Sequence, residues 1–504
     1  MKTIQFRIFY FLTLFVLILL WSSCRKDFDY ENTTGNLSFS KDTVYLDTVF
    51  ANIGSSTYSL KVYNRSNKDL QIPSITLENG LESAYRINVD GQAGTEFLNV
   101  PLLAKDSLYI FIEATFDSAA TNQNEFLYID ALRFDTGIYE QKVPVVTLVK
   151  DAIFLFPAAG HEENLVLGTD RNGEEIKVAS FELSDDQLNF TNEKAYVIYG
   201  YATVPKNKTL TIAAGSRVFF HENSGLYIQE NSNLHIEGQK SKDSIALENE
   251  VIFEGDRLEP EYATTAGQWG TIWFNARSLG NHINYLTVKN ANIGLVVNGD
   301  HTNTTLNLTL KNTQVYNSSS INLWVKGAFI NAENVVLANS GASSVLMTGG
   351  TMQLTHATIA NYWSSGSSSG YALQITNEEN ETSFASLGNC IIDGNSTTEL
   401  SLLNFDSSTD SLKFSLTNCI LKINKERFVA NPLYDFQNSN RYTNVFFNEA
   451  SEFVSPTTNN FSLKSSSFAL GKGDATIANQ VPLAINEVDR TTAPDIGAYQ
   501  YTFK

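Results

Sequence analysis

From Leu286 onward the chain repeats a short phrase in which apolar and polar residues alternate and an asparagine closes the run. "LTVKN" at 286 returns as "LTLKN" at 308, a step of 22 residues. Aligned at that step, Leu286, Leu308, Ile330 and Met352 form one column. Val288, Leu310, Ala332 and Leu354 form a second, and Ile293, Val315, Leu337 and Ile359 a third. A local period of two predicts strands. A repeat too short to bury its own apolar face predicts stacked coils.

The asparagines fall into the same frame. Asn290, Asn312, Asn334, His356, Asn389 and Asn418 are separated by steps of 22, 22, 22, 33 and 29 residues. The longer steps read as loops inserted at one corner while the strands keep register. "SLGNCII" at 386 and "SLTNCIL" at 415 hold that phase. The expectation is an internal ladder of Asn290, Asn312, Asn334, Asn389 and Asn418, with His356 as one hydrogen-bonded rung. Each amide would donate to its neighbour about 4.8 Å away, so that no buried polar atom goes unpaired. Cys390 and Cys419 read as small core fillers.

Upstream the pattern changes. Seven short alternating runs, from "TVYLDTVF" to "QKVPVVTLV", lie between Leu37 and Lys150 with turn residues between them. Regular short strands of this kind predict a β-sandwich. The expected organisation is therefore all-β: a sandwich over 37–150, a connecting segment over 151–195, and a parallel β-helix with a C-terminal cap over 196–504.

The asparagine ladder resembles that of right-handed parallel β-helices of the pectate-lyase-like superfamily. "NKTLTIAAGSRVFFHENSGLYIQENSNLHIEG" at 207 and "GQWGTIWFN" at 267 are similar to opening coils of bacterial β-helix repeat proteins. "FSLKSSSFALGKGDA" with "DRTTAPDIGAYQY" resembles their closing segment, which implies an aspartate and "IGAY" folded back over the last coil. The 37–150 segment resembles the immunoglobulin-like domains near the start of Bacteroidetes surface lipoproteins. The superfamily hosts lyases, hydrolases, adhesins and stalks, so fold alone names no reaction.

The first residues carry an address. Lys2 and Arg7 precede an apolar run from Ile8 to Trp21 that is too short to span a bilayer comfortably and fits a signal peptide over 1–23. "WSSC" resembles the lipobox of bacterial lipoproteins, with Trp21 where that motif favours a small aliphatic residue. The resemblance implies a lipid on Cys24 and a linker over 24–36. "RKDFDY" after it is similar to the signal that sends Bacteroidetes lipoproteins to the outer face of the outer membrane. The expected location is therefore the outer membrane, surface-exposed.

Charge narrows the partners. Loss of residues 1–23 would take the formal net charge from −19 to −21. Such a surface repels nucleic acid and polyphosphate ligands. Polysaccharide or a surface protein remain as expected partners.

No catalytic constellation is visible. Lys289, Lys311, Glu333 and Thr355 align on the outward side of the ladder and read as a charge ladder in which Glu333 offsets Lys311. "EGDRLEPEY" gathers Glu254, Asp256, Glu259 and Glu261 without regular ligand spacing, so no metal or cofactor is expected. One outward column stands apart. Trp273, Val296, Trp324 and Leu346 lie between inward pairs on successive strands, followed by Gln374. Four large apolar residues in one outward row mark either a covered face or a contact face for a glycan or protein. The sequence thus favours a binding scaffold or adhesin, with a polysaccharide lyase or glycoside hydrolase as the alternative.

Overall fold

The computed structural model describes residues 29–117, 125–158, 163–169, 173–244, 246–300, 305–366, 370–378, 382–406 and 412–502. The proposed signal peptide and Cys24 lie outside the described residues. The chain forms two compact units, Met1–Lys150 and Asp151–Lys504. No helix among the described residues is long and apolar enough to cross a membrane.

The first unit is a sandwich of a six-stranded and a five-stranded sheet. Its core takes the inward side of each alternating strand, including Leu60, Val62, Ile110, Ile112, Leu132 and Val145. Pairing is mostly antiparallel, but Gln141–Lys150 runs parallel to Val44–Phe50.

The second unit is a parallel β-helix. Among the described residues three sheets run its length, an 11-stranded sheet A, a 10-stranded sheet B and a 10-stranded sheet C, parallel throughout except for one antiparallel hairpin at the start of sheet B. One coil shows the circuit: Leu308–Lys311 in sheet C, Gln314–Ser318 in sheet A, Ile321–Lys326 in sheet B, then Phe329–Glu333 back in sheet C. Coils begin earlier than expected. Ala152–Leu155 already pairs with Ala195–Ile198 in sheet A, and the hairpin Glu163–Thr169/Glu175–Glu182 joins sheet B. The segment 151–195 is therefore the first coil, not a connector. Its strands were hidden because the hairpin breaks the coil periodicity.

Register corrects the sequence columns. The coils that hold Leu286–Lys289, Gln314–Ser318 and Val336–Ser340 have two bends with left-handed backbone, one at each end of the sheet A strand. Asn312, Asn334, His356, Asn389 and Asn418 sit at the bend entering sheet A, with φ between 48° and 55°. Asn290, Asn317 and Asn339 sit at the bend leaving it. Asparagine suits both positions because its short polar side chain tolerates this region better than most side chains do. "LTVKN" at 286 thus ends a sheet A strand, while "LTLKN" at 308 ends a sheet C strand. Leu308 stacks on Asn281, a coil step of 27 residues, and Val288 stacks on Val315. Leu286, Val288 and Ile293 therefore leave the columns assigned to them, and Asn290 belongs to the second ladder. From Leu308 onward the sequence columns coincide with the register.

Sheet A needs a cover. Val336, Ala338, Ala360, Ile391 and Ile420 are buried in a cluster separate from the coil interior, together with Phe453, Phe461, Leu463, Ile485, Ile496 and Ala498. Sheet A is apolar on both faces, as in Val336–Ser340, where all five residues are buried. The chain after the last coil runs back along this outer face as a strap. It reaches further than the last coil: the Tyr499 hydroxyl bonds Gln314, and the Tyr285 hydroxyl donates to the Ile485 carbonyl. Gly497, at φ 101°, lets the strap lie flat, since a Cβ there would come within 2.8 Å of Ile391 Cδ1.

Candidate functional site

The ladder side chains face the strap rather than the coil interior. The residues after them, Val335, Ala357, Cys390 and Cys419, fill the interior instead. Asn334 Nδ2 donates to Asn312 Oδ1 at 3.0 Å and to the Leu483 carbonyl at 2.8 Å. Asn389 Nδ2 lies 3.1 Å from His356 Nε2 and donates to the Asp474 carbonyl at 3.0 Å. His356 Nδ1 lies 3.3 Å from the Gly497 carbonyl. Burial, reinforced by the nearby Arg490 cation, pushes the His356 pKa down to about 3. Arg490 is 1% exposed and joins ladder to strap, donating to Asn334 Oδ1 and to the carbonyls of Gly497 and Ala498. Asn290 instead accepts from Asn317 Nδ2 at 2.6 Å, in the second ladder. Asn418 accepts from Asn444 Nδ2 and donates to the Lys472 carbonyl.

Replacing Asn334 by leucine is expected to lower stability by about 1–3 kcal/mol, because Asn312 and Arg490 each lose a buried partner. Thermal melting of the full chain checks this. An unchanged midpoint would place the ladder outside the fold's stabilising contacts.

The charged residues singled out by sequence are largely neutralised. Lys311 pairs with Glu333 at 3.0 Å, and Lys289, in a different sheet from Lys311, pairs with Glu254 at 2.7 Å. In the acidic loop Asp256 meets His221 at 2.8 Å, and Glu259 meets Arg257 at 3.2 Å. Among the described residues no three or more His, Cys, Asp or Glu side chains gather as a metal centre would.

The outward column of sheet B is continuous. Tyr227, Trp273, Val296, Trp324, Leu346, Gln374 and Ser401 are register partners on successive strands. Trp273, Trp324 and Leu346 are half-buried, and Val296, between the indoles, is fully buried. The strap packs on sheet A and leaves this face to other contacts. Lys326 Nζ sits 4.6 Å from the Trp324 ring centre and 5.9 Å from that of Trp273, so one ammonium spans both rings. Trp324 Nε1 donates to Thr348 Oγ1 at 3.2 Å, which fixes the indole's tilt. Indoles in register along one face, with a cation beside them, suit a ring that offers C–H bonds on one face and hydroxyls at its rim.

A second cluster was missed from sequence. Where the strap leaves sheet A, its outer face turns from alanine to charge: Ala338, Ala360 and Asp393 are successive rungs. Lys422 follows, with Nζ 3.5 Å from Asp393 Oδ1. Tyr362, Glu452, Phe453 and Lys464 complete a cleft of about 390 Å³. The signal was present: "NCIID" over "NCILK" places Asp393 against Lys422 once the alternation is carried three residues past each cysteine. Beside it Glu399 is 1% exposed and accepts from the amides of Ala372 and Ser396, and burial pushes its pKa up to about 7.

No protein-family model matches the chain, and no curated protein matches its sequence. Solved structures with partial likeness include the catalytic unit of a GH87 α-1,3-glucanase from Streptomyces thermodiastaticus. It has a TM-score of 0.32 and 12% identity, covering 72% of this chain and 73% of that one. Dex49A from Penicillium minioluteum shares 9% identity at a TM-score of 0.16, with coverage of 72% and 66%. The periplasmic chaperone SfaE covers 28% of this chain at a TM-score of 0.16, 11% identity and 81% of its own length. Similarity at this level carries no functional argument; the fold rests on the strand register itself.

Proposed function

We propose that the chain is a cell-surface scaffold that binds polysaccharide along the outward aromatic column of sheet B, held at the outer membrane by a lipid on Cys24. The observation that carries this is the unbroken register of Trp273, Val296, Trp324 and Leu346, bridged by Lys326. Two coils separate the tryptophans, about 10 Å at one strand spacing per coil. Sugar units two apart along a glycan recur over a similar distance, so both rings can stack on one chain. A net charge of −19 favours a neutral polysaccharide over a polyanionic one. Of the alternatives, lyase or glycoside hydrolase, the lyase has less support, since its candidate outward bases Lys289 and Lys311 are both ion-paired.

Trp324→Ala is expected to weaken retention in native gels containing neutral polysaccharides by tenfold or more, about 1.4 kcal/mol. Circular dichroism should stay unchanged, because a half-buried outward indole contributes little to the coil interior. Loss of fold without loss of binding per folded molecule would overturn the reading and mark the column as a covered face.

A further inference from the structure

We infer that the cleft at the end of sheet A is a second ligand site, one that takes a single neutral sugar residue through Asp393, Lys422, Lys464 and Tyr362. It lies on a different sheet from the aromatic column and stands independently of it. One wall is the outer face of the last coils, with Asp393, Lys422 and Tyr362; the other is the strap, with Asn448 through Phe453, Pro456 and Lys464. A volume of about 390 Å³ falls within the range of roughly 300–1,000 Å³ typical of small-molecule sites.

The lining alternates sign. Carboxylates of Asp393, Glu449 and Glu452 face ammonium groups of Lys422 and Lys464. The ion pairs among them are loose, 3.5 Å for Lys422 to Asp393 and 4.0 Å for Lys464 to Glu452, while Lys422 Nζ also donates to the Gly394 carbonyl and the Tyr362 hydroxyl bonds Asp393. A cation would meet the two lysines and an anion the three carboxylates. A neutral ring of hydroxyls can donate to the carboxylates and accept from the ammonium groups at once. Tyr362 and Phe453 meet edge to face, with centroids 6.1 Å apart, and supply an apolar wall for a sugar's C–H face.

Ser451 lines the cleft as a small residue, 2% exposed, and leaves room for a ring between the two walls. The Asp393 carboxylate is held in place from behind by the Gly394 amide at 2.7 Å. Nearby, burial and the Asp393 charge drive the Tyr362 phenol pKa upward, keeping it a donor.

The test is saturation-transfer NMR on the full chain with glucose, galactose, mannose and N-acetylglucosamine, and with glucosamine and glucuronate as charged controls. At least one neutral sugar should receive saturation, and its Kd should rise tenfold or more in Asp393→Asn. Lys464→Met, at a side chain 47% exposed, should weaken it too and settles the matter if Asp393→Asn misfolds. Trp324→Ala should leave this binding intact, so that failure of the cleft and failure of the column are separately visible. Transfer to no neutral sugar, transfer only to a charged control, or equal affinity in parent and both cleft variants would overturn the inference. So would a signal lost in Trp324→Ala and kept in Asp393→Asn.

Discussion

Arg490→Ala is expected to release the strap. The guanidinium is 1% exposed and bonds one ladder residue and two strap carbonyls, Asn334 Oδ1 and the carbonyls of Gly497 and Ala498. Alanine would leave Asn334 Oδ1 buried without its donor, strip one donor each from the Gly497 and Ala498 carbonyls, and remove the positive charge that favours the buried Asp495 carboxylate. Removing one member of a buried charged network costs roughly 3–5 kcal/mol. The loss should fall first on the strap, because the coils keep their own backbone ladders and can outlast it locally. Limited proteolysis should then cut within residues 446–502 at a dose that spares the parent. Melting should also begin earlier, with exposed Val336, Ile391 and Ile420 driving aggregation. Arg490→Lys should give an intermediate effect, since an ammonium keeps the charge but cannot span the same three acceptors with a planar fork. Equal protease resistance in parent and alanine variant would remove Arg490 from this role.

Acid should loosen the same seam through His356. In the unfolded chain this imidazole takes a proton near its ordinary 6.5; in the folded chain burial and Arg490 delay that to about 3. Between those values the unfolded state binds more protons, so its share grows as pH falls. The stabilisation is complete above about 6.5 and is lost as pH drops towards 3. The full loss is on the order of 3–5 kcal/mol. Asp495, whose carboxyl pKa is raised by burial, acts in the opposite sense and offsets part of this in the carboxylate range. His356→Asn isolates the effect, because asparagine already occupies the neighbouring rungs at similar φ. The variant should melt close to the parent at pH 8 and above it at pH 4. A parent and variant whose melting temperatures fall in parallel with pH would contradict the assignment.

The alternating pattern made the all-β organisation and the coil stack readable, and from Leu308 the columns needed no correction. The failure at Leu286 has a physical cause. In the coils around Leu286, Gln314 and Val336 both ends of the sheet A strand carry a left-handed residue, so two different corners write nearly the same phrase. Asn317 and Asn339, five residues after Asn312 and Asn334, were the clue that a coil can have two such corners. The outward tryptophan column was readable because strand alternation alone sets its phase. The strap's reach was not. "DRTTAPDIGAYQY" indicates a closing segment, but nothing local says that Tyr499 will meet Gln314. Glu399 was equally hidden, because its burial depends on amides at Ala372 and Ser396 that only the fold brings together.

An open sheet B column that holds polysaccharide would expose Trp324 to solvent until ligand covers it. Acrylamide quenching of tryptophan emission tests it most directly, with the Trp324 contribution taken as the difference between the parent and Trp324→Phe. The account predicts that Trp324 is quenched in the free protein and protected when a retained neutral polysaccharide is added. A Trp324 signal that is blue-shifted and quencher-resistant without ligand, or one that polysaccharide leaves unchanged, would contradict it.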